Sequence, residues 1–199
     1  MRRLILVLIL LVGGCTPVVQ ADVTRFHAFG PNPAPGSFTI VPDTTQAGSL
    51  EFQDYASQVA SALEAKGWRP VPPGGGPADA HVSLHWGVGA PEWVTWYSPS
   101  SVYSGVGWGP RTMWYGSGVY YDPFPYWEAR TITYYPGWVE VKMSDAHSAD
   151  KHALFEGRAV TAGTSREIAP VMPYLIRALF TGFPGNNGAT VRVEVPTGS

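Results

Sequence analysis

The chain has 199 residues, of which 14% are charged and 13% aromatic, with a formal charge of −2 and a single cysteine. No basic excess exists to neutralise phosphates, which argues against a nucleic-acid binder. One cysteine excludes a disulfide framework within the chain and a Cys-rich metal site, and a 45% hydrophobic fraction is too high for a wholly disordered chain.

The N-terminus reads MRRLILVLILLVGGC. Arg2 and Arg3 form a basic n-region, and Leu4 to Val12 are nine apolar residues in a row. That is the length of a signal-peptide core, whereas a bilayer span needs about 20 residues. Val12-Gly13-Gly14-Cys15 resembles the bacterial lipobox, in which small residues precede a cysteine. The resemblance implies cleavage before Cys15, a diacylglycerol on its thiol and an acyl chain (palmitate or similar) on its new amine. Several chains anchor far more firmly than one, at roughly 0.8 kcal/mol per buried CH₂. Removal of residues 1–14 leaves 11 basic against 15 acidic residues, a charge of −4. Residue 16 is Thr rather than Asp. In the sorting pattern of bacterial lipoproteins this favours the outer membrane, with the domain facing the periplasm.

Residues 15–21 are expected to be a lipidated tether and residues 22–199 a single domain. Asp22 to Phe29 predicts a first strand, and Pro31, Pro33 and Pro35 mark a loop. Phe38 to Val41 predicts a second strand. Leu50 to Lys66 predicts a helix, with Phe52, Tyr55, Ala56, Val59, Ala60 and Leu63 on one face. Ser49 is its N-cap, Gly67 its C′ residue, and Trp68 is placed to fold back on Leu63. Ala80 to Val88 predicts a strand with Val82, Leu84 and Trp86 on one face.

Trp86 to Trp138 is different in kind. It holds seven of the eight Trp, eight of the ten Tyr, eight Gly and six Pro, but only five charged residues. The segment predicts an aromatic, Gly/Pro-rich insertion of turns and short strands at about 86–138. A structureless loop of that length is improbable in a compact domain unless it is functional. Trp and Tyr there suit either a satellite core packed on the sheet or an exposed surface. Trp93, Trp96, Trp108, Trp114, Tyr121 and Trp127 are the candidate surface for a partner protein, a glycan or the headgroup region.

Trp138 to Ser144 and Ala153 to Ala162 predict an antiparallel hairpin. Thr164-x-x-Glu167 matches a capping box and predicts the start of a second helix through Val171, Tyr174, Leu175 and Leu179. Pro170 and Pro173 distort or delay its first turns. Ala189 to Val195 alternates and predicts a last strand. The expected fold is α+β, a two-layer sandwich with a mostly antiparallel sheet and two helices on one face.

Four pieces resemble a family of bacterial lipoproteins, domain-of-unknown-function family 4136. They are the lipobox with the first strand ending Phe26-His27-Ala28-Phe29, and the helix from Tyr55 to Gly67-Trp68 with Ala78-Asp79-Ala80. The others are the hairpin through Gly137-Trp138-Val139-Glu140-Val141 and Phe155-Glu156-Gly157-Arg158-Ala159, and the ending Leu179-Phe180-Thr181-Gly182-Phe183-Pro184-Gly185. The resemblance implies an envelope lipoprotein with an α+β domain and no assigned activity. The aromatic insertion departs from it.

No pattern assigns catalysis. His81 and His85 would share a helix face, but on a strand they sit roughly 13 Å apart, so no metal site and no cofactor is expected. The chain has no G-x-S-x-G, and Gly105-x-Gly107-x-Gly109 is not a phosphate-binding pattern. Glu92 and Glu128 would serve glycoside chemistry only if the fold joined them. The expected function is a non-enzymatic binding or assembly module, with the bilayer as partner through acylated Cys15. The alternative is a glycan- or peptidoglycan-binding or -acting protein using the aromatic insertion.

Overall fold

The computed structural model describes residues 17–30, 34–105 and 118–198. They form two compact units, one of residues 17–90 and 135–198 and one spanning Pro91–Tyr134. The first unit is α+β, an open sheet with two helices. Its strands are β1 (Val18–His27), β2 (Ser37–Ile40), β3 (Arg69–Pro70), β4 (Ala80–Val88), the second half of β6 (Gly118–Asp145), β7 (Ala153–Gly163) and β8 (Ala189–Pro196). The helices are α1 (Leu50–Glu64) and α2 (Met172–Phe180). The second unit is built from β5 (Glu92–Gly105) and the first half of β6.

Helix α1 follows its sequence closely. Ser49 Oγ accepts from the Phe52 amide at 3.2 Å, satisfying an orphan donor of the first turn. Phe52, Tyr55, Val59 and Leu63 recur at three- and four-residue spacing and are buried. Gly67 adopts φ +89°, and the Trp68 amide returns to the Leu63 carbonyl at 3.1 Å. This closes the helix in a Schellman arrangement that a Cβ would strain.

The second helix starts later than its capping box implies. Ser165, not Thr164, bonds the Glu167 amide, and the helix begins only at Met172 without a side-chain cap. Pro170 and Pro173 account for the delay. Neither supplies an N–H, and proline is tolerated only in a first turn. Strand β1 begins at Val18, so residues 18–21 are strand rather than tether, and it ends at His27 rather than Phe29. Its pairing with β8, from Val18 opposite Pro196 to Arg25 opposite Ala189, extends it.

The strands lie in the order β3-β2-β4-β6-β7-β1-β8. β2 pairs parallel with β3 and β4, while every other pair is antiparallel. Alternate residues are buried: Ala80, Val82 and Leu84 on β4, Val139, Val141 and Met143 on β6, Ala21 and Val23 on β1. They share one hydrophobic core with the buried residues of both helices. Each fully buried aliphatic side chain contributes roughly 1.5–3 kcal/mol. The intervening positions carry Glu140, Lys142, Glu156 and Arg158, joined by ion pairs such as Lys142 Nζ to Glu140 Oε1 at 2.9 Å.

The register gathers several chain ends at one end of the sheet. Val88 pairs with Gly137, Tyr135 with Gly163, and Val18 with Pro196. The end where the described chain begins is therefore also the end where it leaves β4 and returns along β6.

Candidate functional site

The insertion expected as turns and short strands is, in its described part, two long paired strands. β5 and β6 run antiparallel from Glu92 opposite Tyr134 to Ser100 opposite Tyr126, and again from Val102 opposite Tyr121 to Gly105 opposite Gly118. Proline and glycine obscure this ladder in the sequence. Pro99 nonetheless sits within it, opposite Trp127, as proline can where its position needs no ladder donor.

Strand geometry sorts the side chains of this ladder. Successive residues point to opposite faces and paired residues share one. One face therefore carries Trp93, Thr95 and Tyr97 from β5 with Trp127, Ala129, Thr131 and Thr133 from β6. The other carries Glu92, Val94, Trp96 and Ser98 with Glu128, Arg130, Ile132 and Tyr134. All three charges of this stretch lie on the second face, where Arg130 and Glu128 approach to 3.9 Å. From Trp93 to Tyr97 and from Trp127 to Thr133 the first face carries no charged residue. Its Thr95 and Thr131 hydroxyls are 2.8 Å apart, which fixes the register between its aromatics.

Those aromatics are open to solvent. Trp93 is 68%, Tyr97 65% and Trp127 67% exposed, against 41% for Trp96 on the reverse face. Of the candidate surface residues, Trp93 and Trp127 thus share one face and Trp96 takes the other. Tyr121 lies in the ladder opposite Val102. Trp108 and Trp114 lie outside the described residues, as do Cys15 and the leader. Tyr97 was not singled out from the sequence. Its signal was the alternation Trp93-x-x-x-Tyr97 across the small polar Thr95.

Glu92 and Glu128 are not brought together. Glu128 lies opposite Ser98, six residues along β5 from Glu92, about 20 Å at strand rise. A glycosidase pair needs about 5–9.5 Å.

The first unit holds two polar constellations. Asp79 Oδ2 accepts from Ser37 Oγ at 2.6 Å and from the Ser37 amide at 2.7 Å, and its Oδ1 lies 3.5 Å from His147 Nε2. These donors, Ser37 first, hold its carboxyl down at about 2. The carboxylate stands between serine and histidine, so the imidazole meets Asp79 and not the hydroxyl, unlike the direct nucleophile–base contact of a Ser–His pair. Asp79 ties β2 to the entry of β4. The second is Arg25, 5% exposed, whose guanidinium donates to the carbonyls of Leu179, Ala178 and Thr181 at 2.9, 3.0 and 2.7 Å. It serves the C-terminal end of α2.

At the gathered end of the sheet lies a groove of about 560 Å³, lined among others by Val18, Val19, Val88, Tyr135 and Ile168. Among the described residues no three His, Cys, Asp or Glu side chains converge as a metal site. No helix among them is long and apolar enough to cross a membrane.

Residues 19–185 match the family described as domain of unknown function (DUF4136), and the chain belongs to that family. No curated protein matches it. Among solved structures it is similar to a PDZ domain protein from Parabacteroides distasonis, at 10% identity and a TM-score of 0.45. That match covers 90% of this chain, which spans only 40% of the other. It is also similar to a PelC dodecamer from Paraburkholderia phytofirmans, at 16% identity and a TM-score of 0.40, covering 81% of this chain and 95% of that one.

Proposed function

We propose that this protein is a lipid-anchored component of the bacterial envelope, a non-catalytic binding or assembly module held by acylated Cys15. The observation that carries the reading is the N-terminal sequence. A basic pair, nine apolar residues and Val12-Gly13-Gly14 lead directly to the one cysteine of the chain. Strand β1 begins three residues later, which leaves only a short tether. Thr16 favours the outer membrane, facing the periplasm. The one-sided burial of the sheet supports a two-layer body with both helices on one face, bearing the aromatic insertion. Cys15→Ser tests the anchor: the variant should lose incorporated acyl label and leave the membrane fraction. Undiminished anchorage overturns the reading.

The exposed Trp93, Tyr97 and Trp127 favour a second reading, a glycan- or peptidoglycan-binding surface. Glu92 and Glu128 lie too far apart to act as a glycosidase pair, so this reading, of a protein that binds or acts on glycan, rests on the aromatic surface. Titration with cell-wall fragments should then change the tryptophan emission of the protein. A flat titration removes this reading.

A further inference from the structure

We infer that the β8 edge of the sheet is an interface between two copies of this chain, with β8 of one copy pairing antiparallel with β8 of the other about a two-fold axis at Val193. Among the described residues, β8 ends the strand order and has β1 as its only neighbour. The edge at the other end, β3, is two residues long, and its Pro70 supplies no N–H to a new strand. β8 offers eight residues. The Thr197 and Gly188 amides donate to the carbonyls of Pro17 and Arg25 at 2.9 and 2.8 Å, which marks the odd-numbered residues of β1 as those that bond toward β8. By the alternation of an antiparallel ladder, their partners Ala189, Val191, Val193 and Val195 turn their backbone groups to β1. Thr190, Arg192 and Glu194 turn theirs outward, a row open to another strand.

The sequence of β8 selects a second β8, and in one register. Charges on an edge strand commonly discourage pairing, but here they alternate in sign, Arg192 and then Glu194 two residues on. With Val193 opposite the second copy's Val193, each Arg192 stands opposite a Glu194. Opposite charges directly across a ladder attract, and like charges repel. Centring the pair on Arg192 or on Glu194 instead would set like charges face to face. Arg192 and Glu194 are also the outward-bonding positions, so each such pair exchanges two backbone hydrogen bonds. Both side chains are exposed and keep groups to spare. Arg192 gives Nε and Nη2 to Asp22, which leaves Nη1, and Glu194 takes Gln20 on Oε1, which leaves Oε2. On the other face Val191, 44% exposed, comes to lie opposite the second copy's Val195.

The test is disulfide trapping of the full chain in mild detergent. Val193→Cys sets a thiol opposite itself, in a pair without mutual hydrogen bonds whose Cα atoms stand about 4.5 Å apart, within disulfide reach. Mild oxidation should give a reducible dimer. Mass spectrometry of the linked peptide should join position 193 to position 193, which separates this link from any through Cys15. Adding Arg192→Glu or Glu194→Arg to that protein sets like charges opposite and should lower the linked yield roughly tenfold. Mixing those two proteins in equal amounts restores opposite charges at both pairs. The yield should then recover as a heterodimer, which a loss of folding in either variant would not allow. Absence of the 193–193 link, undiminished yield in both charge variants, or no recovery on mixing overturns the inference. Trapping in cells that joins position 193 to a different protein overturns it in favour of that partner.

Discussion

Arg25 Nε donates to the carbonyl of Leu179 at 2.9 Å, so a cation on the first strand closes the last turn of α2. Helix C-termini leave carbonyls without partners and carry partial negative charge. Here one guanidinium donates to three carbonyls of that end from a nearly buried position, Ala178's also accepting from the Thr181 amide. Arg25→Met keeps the stem and removes the donors. It should cost about 3 kcal/mol, because charged hydrogen bonds are lost and buried acceptors stay unpaired. Urea unfolding of both proteins measures this. Equal midpoints would remove Arg25 from the account of α2.

Gly157 sits where β7 crosses under α2. A Cβ there would lie 2.6 Å from the Phe155 ring and 2.9 Å from Leu179 Cδ1. Both neighbours are fully buried, and the Phe155 ring also meets the Phe183 ring in a tilted contact with centroids 4.9 Å apart. Gly157→Ala should therefore destabilise by about 1–3 kcal/mol through overpacking. Thermal unfolding checks this, and an unchanged Tm would mean that the ring can move aside.

Asp79 gives a pH dependence of definite sign. Its folded carboxyl is held at about 2, below the ordinary 3.8, chiefly by Ser37. A depressed acid favours the folded state above its unfolded value and loses that contribution as pH falls toward the folded one. The Tm of the wild type should drop between about pH 4 and pH 2, and Ser37→Ala should flatten part of that drop. Parallel curves for the two proteins would contradict the assignment.

The exposed ring faces predict the opposite of a core. Trp93→Ser and Trp127→Ser should each change stability by no more than about 0.5 kcal/mol, as surface substitutions do. The comparison is Phe155→Ala, expected to cost about 3–5 kcal/mol. Losses at Trp93 or Trp127 matching the latter would mean these rings are packed.

What was legible in the sequence was local. Ser49, the apolar spacing from Phe52 to Leu63 and Gly67 all lie within one helix and agree, so α1 could be read nearly to its ends. Thr164 and Glu167 imitated a helix start, but Pro170 and Pro173 decided it. The extension of β1 back to Val18 depends on pairing with Pro196, almost a chain length away. Two-residue β3 and the parallel pairing of β2 likewise rest on distant partners. In the insertion, composition announced the aromatics. Which of them share a face required the register, and the register depends on pairs such as Thr95 with Thr131 that composition does not name.

The central claim is the anchor at Cys15, and the most direct measurement is mass spectrometry of the N-terminal peptide from protein isolated from its native membrane. The account predicts a mature chain that begins at Cys15 and carries the added mass of a diacylglycerol and an amide-linked acyl chain. A peptide with an unmodified Cys15 thiol, or a chain that begins beyond residue 15, would contradict it.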